Sequence, residues 1–98
     1  MMIAERLEME REEFEKIQKN IFSGMQPLKL KVYSSKEKKK LVALQTMIEQ
    51  FEMNRKYTEK EINEVLQAIW PDYATVRRDL FEYGYLARTK DCKEYWRK

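Results

Sequence analysis

The residues of this chain that could do chemistry are cationic, and the chemistry they suit is recognition of anions. Arg77 and Arg78 stand side by side in DYATVRRDLFEYG, and Arg88, Lys90, Lys93, Arg97 and Lys98 follow soon after. A third group, Lys36, Lys38, Lys39 and Lys40, lies upstream. A guanidinium can donate two bonds to a guanine edge or a phosphate, whereas lysine acts as a mobile point charge. Catalytic patterns are missing by comparison. Histidine is absent and cysteine occurs once, at Cys92. That removes the usual zinc sites, nucleophile–base pairs and disulfides within one chain. The glutamates fall at helical surface spacings with no pair marked as an acid–base couple. The sequence predicts no enzyme, no metal and no cofactor, and Cys92 reads as an incidental thiol near a turn.

The elements that must position these cations can be read in order of need. Asp72 is a cap, and Tyr73, Val76, Leu80 and Tyr83 recur as one apolar face of a helix that Gly84 closes. The opposite face carries Ala74, Thr75, Arg78 and Glu82, so Arg78 aims outward and Thr75 is the next candidate contact. Arg77 lies beside the buried stripe and reads as a structural residue with its head paired to a carboxylate. A hairpin follows: Tyr85–Arg88 out, Thr89–Cys92 at the turn, Lys93–Arg97 back. Its cations either contact phosphate or form a solvated edge. Tyr95 and Trp96 either supply a stacking platform or close the core beneath the hairpin.

Before that unit, Thr58 and Glu61 form a capping box, with Tyr57 and Ile62 placed as its hydrophobic staple. Ile62, Val65, Leu66 and Ile69 make the buried stripe of that helix, which Pro71 ends at Trp70. The three-residue connection Trp70–Asp72 joins two capped helices, a helix-turn-helix. Another helix is predicted from about Lys36 to Met53, with Leu41, Leu44, Ile48 and Phe51 on one face. Its lysine-rich first turn opposes the helix dipole. Either it is simply solvated, or an anion such as phosphate docks there. PLKLKVY alternates Leu28, Leu30 and Val32 with Lys29, Lys31 and Tyr33, a half-buried strand.

Residues 1–24 read as a separate N-terminal amphipathic helix with Gly24 at its left-handed cap, and residues 25–98 as the domain. Ile3, Leu7, Phe14, Ile17 and Ile21 form a narrow heptad seam. It either lies on the domain's own surface or makes a homodimer contact. The fold class is mainly α with a small β-hairpin or sheet: a winged helix-turn-helix preceded by an N-terminal helix.

Composition sets the bounds. The 98 residues are 43% hydrophobic and 38% charged, with two glycines and two prolines. A small, mostly helical domain with a real core fits; a glycine-built phosphate cradle does not. No stretch suits a signal peptide or a membrane span, and a cytoplasmic location is expected. Net charge is +3, but residues 1–22 carry −2 and residues 23–98 carry +5.

The segments KEKKKLVALQTMIEQF, YTEKEINEVLQ, DYATVRRDLFEYGYLAR and EYWR, in that order, resemble a bacterial family known as domain of unknown function 2087. The resemblance covers about the C-terminal two-thirds. It implies a compact winged-helix-like module of a kind that often follows a helix-turn-helix domain in predicted transcriptional regulators. Such proteins often carry Asp-Gly at the hairpin turn; here it is Asp91-Cys92. The expected function is duplex DNA binding as a transcriptional regulator. Lys36, Lys38, Lys39, Arg88, Lys90, Lys93 and Arg97 would contact phosphate, and Thr75 and Arg78 would lie in or near the groove. The alternative is a protein–protein interaction module that binds no DNA.

Overall fold

The computed structural model describes residues 9–98. It is mainly α, with small antiparallel sheets. Helix α1 (Arg11–Ile21) leads into a hairpin of β1 (Phe22–Met25) and β2 (Leu28–Leu30), joined through a cis Gln26–Pro27 peptide. Helix α2 (Glu37–Ile48) follows, then the two-residue strand β3 (Lys56–Tyr57). Helices α3 (Glu59–Ile69) and α4 (Tyr73–Glu82) come next, and strands β4 (Leu86–Arg88) and β5 (Tyr95–Arg97) complete the chain order. The second sheet has the order β3-β5-β4. Its β4–β5 pair is the expected hairpin, called the wing below.

One core serves all of these elements. Val42, Leu44 and Met47 from α2 meet Ile62 and Leu66 from α3, Val76 and Leu80 from α4, and Leu86 from the wing, all essentially inaccessible to water. The described part of the N-terminal segment joins the same core. Met9, Ile21 and Phe22 are buried in it, and Gln18 donates from Nε2 to Thr46 Oγ1 on α2 at 3.0 Å. The expected cut between residues 24 and 25 therefore falls inside the β1–β2 hairpin. Gly24 is a strand residue rather than a helix cap. The helix ends at Ile21, whose carbonyl accepts from the backbone N–H groups of Lys31 and Val32 (2.7 and 3.3 Å). Of the seam, Ile21 is buried, Phe14 and Ile17 pack against the core from its rim, and Ile3 and Leu7 lie outside the described residues.

Helix α2 stops five residues before the expected Met53. Gln50 and Phe51 donate to carbonyls three residues back, a tightened turn that carries Phe51 into the core. Met53 is left 51% exposed, and Asn54 adopts φ 60° to reverse the chain. Strand β3 is not visible in the sequence, because two residues cannot display an alternation.

The caps of α3 and α4 form as expected. Thr58 Oγ1 accepts from Glu61 N and Glu61 Oε1 accepts from Thr58 N, closing the capping box. The capping residue Trp70 is extended, as its following proline requires. Gly84 takes φ 82°, the left-handed conformation that lets α4 turn into the wing. Lys29 supplies a contact that no local pattern announces: its Nζ donates to the Ala68 carbonyl at 2.6 Å, near the C-terminus of α3.

Candidate nucleic-acid interface

Helix α4 is held by its first turn. Asp72 Oδ1 accepts from Thr75 N at 3.4 Å, and Asp72 Oδ2 accepts from Thr75 Oγ1 at 2.8 Å. The Thr75 hydroxyl proton is thus committed to the cap. On the outward face, Arg78 is exposed and forms no ion pair or hydrogen bond among the described residues. Glu82, one turn along, does not pair with it.

Arg77 behaves differently. Its guanidinium donates to Asn63 Oδ1 on α3 and lies 4.0 Å from Glu59. Tyr95 on β5 donates to the same Glu59 carboxylate at 2.9 Å. Burial, reinforced by that carboxylate, pushes the Tyr95 phenol up to about 12. Arg77, Glu59 and Tyr95 thereby tie α4, α3 and the wing together, and the structural role expected for Arg77 is the one observed.

The wing is anchored to α4 from its own side. The Arg88 guanidinium lies over the Phe81 ring, 4.4 Å from its centroid. It also donates to the Thr89 carbonyl and reaches Cys92 Sγ at 3.1 Å. In the turn, Asp91 accepts from the Thr89 hydroxyl (2.6 Å) and from Lys93 N (3.1 Å), which hold its carboxyl below the usual range. Cys92 takes φ 61°, a conformation glycine adopts without strain. Lys90 and Lys93 are exposed. Arg97 leaves this group: it donates to the Phe51 carbonyl at 3.1 Å. Between α4 and the wing lies a cleft of about 280 Å³, whose walls include Ala74, Arg78, Phe81, Glu82 and Arg88.

The lysine cluster divides. Lys38 pairs with Glu13 of α1 at 2.8 Å. Lys40 is half-buried, 3.7 Å from Asp79 of α4 and near the rings of Tyr33 and Tyr83. Tyr33 donates to the same Asp79 at 2.5 Å, and burial together with that carboxylate raises its phenol strongly. Carboxylates from two other helices therefore supply part of the counter-charge that this helix N-terminus needs. Lys36 and Lys39 remain exposed. Asp79 follows Arg78 by one residue, about 100° around α4, so an acidic group lies on the side of the helix that the lysines approach.

The structure thus sorts the expected contacts. Arg78, Lys36, Lys39, Lys90 and Lys93 are exposed cations. Thr75, Lys38, Arg88 and Arg97 have intramolecular partners, and Arg97 does not line the α4 cleft. Missed in the sequence were Glu59 and Asn63 as the partners of Arg77, and Phe81 as the seat of Arg88. Glu59 and Asn63 are four residues apart on α3 and share a face, the one signal that was available. No group of three or more metal-ligating side chains occurs among the described residues, and no helix among them is long and apolar enough to cross a membrane.

Residues 29–97 match the model of a family described as an uncharacterized protein conserved in bacteria, DUF2087. The chain belongs to this family. No curated protein and no solved structure matches it. The DUF2087 match opens within β2 and reaches through the wing, so it takes in α2, α3, α4 and the cleft. Helix α1 and strand β1 lie before it, yet they complete the same core.

Proposed function

We propose that this DUF2087 protein is a winged-helix module that binds duplex DNA, acting as a cytoplasmic, non-catalytic transcriptional regulator. The element order α2-β3-α3-α4-β4-β5 and the sheet order β3-β5-β4 support the winged-helix reading. In that reading α4 is the recognition helix and the β4–β5 hairpin the wing. The observation that carries the proposal is Arg78. It stands at the centre of the outward face of α4, exposed and without a carboxylate partner, while the neighbouring Arg77 is absorbed by the fold. Arg78 enters the groove, and Lys36, Lys39, Lys90 and Lys93 meet phosphates.

Titration of the full chain against a pool of duplex DNA at low and moderate salt tests this. Affinity should fall steeply with salt through counterion release. Replacing Arg78 with Ala should remove about 1–3 kcal/mol of sequence discrimination. Replacing Lys90 and Lys93 should weaken all sequences alike and flatten the salt slope. Absence of binding at low salt sinks the proposal.

A second reading, a protein-interaction module, draws on a specific observation. Phe81 is 38% exposed in the cleft, and Asp72, Asp79 and Glu82 interrupt the cations around α4. Self-association through α1 would then use Phe14 and Ile17, the part-exposed members of its seam among the described residues. Sedimentation of the full chain discriminates, since a monomer at high concentration rules out that homodimer.

A further inference from the structure

Of the two adjacent aromatics in β5, Tyr95 closes the core and Trp96 does not. The register sets Trp96 opposite Lys56 on one side and Ala87 on the other. These three share the sheet face that points away from buried Tyr57 and Tyr95, since side chains alternate along a strand. A second cleft of about 270 Å³ opens beside Trp96, lined by Asn54, Arg55, Lys56, Trp96 and Arg97.

Three of these five residues are cations and none is a carboxylate. Their positions are set from outside the lining. Arg55 is held by Glu52 at 2.7 Å and lies over the Tyr57 ring, 4.6 Å from its centroid. Lys56 lies 3.6 Å from Glu94. Arg97 is fixed by a carbonyl, so its charge has no carboxylate partner there. Asn54, in its left-handed turn, adds an amide that can both donate and accept.

We propose that this cleft binds one nucleotide unit, with its base stacked on Trp96 and its phosphate drawn to Lys56 on the same face, while Arg55 and Arg97 reach the cleft's edge from the opposite face. An aromatic face beside backbone-tracking cations is the arrangement that holds unpaired nucleotides, because every base has a π face. The volume, about 270 Å³, falls just below the ~300–1,000 Å³ range of small-molecule sites, so it suits one unit rather than several. The lining shares no residue with the α4 cleft, so the site stands independently of duplex binding by α4.

The test uses emission from Trp96 in the full chain carrying Trp70→Phe, which leaves a single indole. Adenosine monophosphate at low salt should quench it saturably. Adenosine alone and inorganic phosphate alone should each bind about tenfold more weakly or worse, as loss of one of two contacts implies. Arg55→Gln with Lys56→Gln should weaken binding severalfold, and Arg78→Ala should leave it unchanged. A short oligodeoxyadenylate binding more tightly than the monophosphate identifies a single strand as the source; equal or weaker binding identifies the free nucleotide. Should Trp70→Phe unfold the chain, equilibrium dialysis of labelled nucleotide with the unaltered protein, and with Trp96→Leu, gives the same comparison. No saturable binding of either ligand, or phosphate alone binding as tightly as the nucleotide, overturns the proposal.

Discussion

Two neighbouring arginines with the same chemistry have different tasks because about 100° of helix rotation separates them. Arg77 reaches Asn63 and Glu59, while Arg78 reaches solvent. Replacing Arg77 with Ala should cost about 1 kcal/mol of stability, a modest figure because Glu59 is part-exposed and water screens the pair. Replacing Arg78 should change stability by less than about 0.5 kcal/mol. Urea unfolding of the two variants checks the contrast. Tyr95 gives a prediction in pH. Its folded pKa of about 12 is raised above the ordinary phenol value of 10.0, so the folded chain keeps a proton that the unfolded chain releases. That contribution is fully present below about pH 10 and is lost as pH rises through about 12. Tyr95→Phe should flatten the decline in stability over this window, measured by denaturant midpoints.

Elements that announce themselves in the sequence do so through chemistry confined to a few adjacent residues. The Thr58–Glu61 box, the Pro71 stop, the Asp72 cap and the Gly84 exit all lie where local rules put them. Gly84 carries a quantity: at φ 82°, Gly84→Ala should cost about 1 kcal/mol, read from the thermal or urea midpoint. The features that escaped are those decided by distant partners. Strand β3 exists because β5 lies beside it, and α2 ends early because Phe51 has a place in the core. The same holds at the candidate interface. The outward aim of Arg78 was legible from helical spacing. The attachment of Arg88 to Phe81, of Arg97 to the Phe51 carbonyl and of Lys40 to Asp79 was not, since each joins different elements.

Among the described residues, one buried core runs across the point where the family match begins. Ile21 and Phe22 are each nearly inaccessible, and burying such side chains stabilises by about 1.5–3 kcal/mol apiece. Small domains have only about 5–15 kcal/mol in total. A chain starting at Met25 loses Met9, Ile21, Phe22 and most of the strand that pairs with β2. It should lose its cooperative melt, seen by circular dichroism, rather than only change its association state. A domain that keeps this melt after truncation would show that α1 is dispensable. The link between the β4–β5 hairpin and α4 matters at this scale too. With Arg88 laid on Phe81 and Tyr95 and Arg77 sharing Glu59, the two walls of the α4 cleft are fixed at both ends before anything binds. A ligand entering there meets a preorganised mould. The walls would not have to close on a ligand, so the ordering left to binding would be mainly that of the free Arg78 side chain.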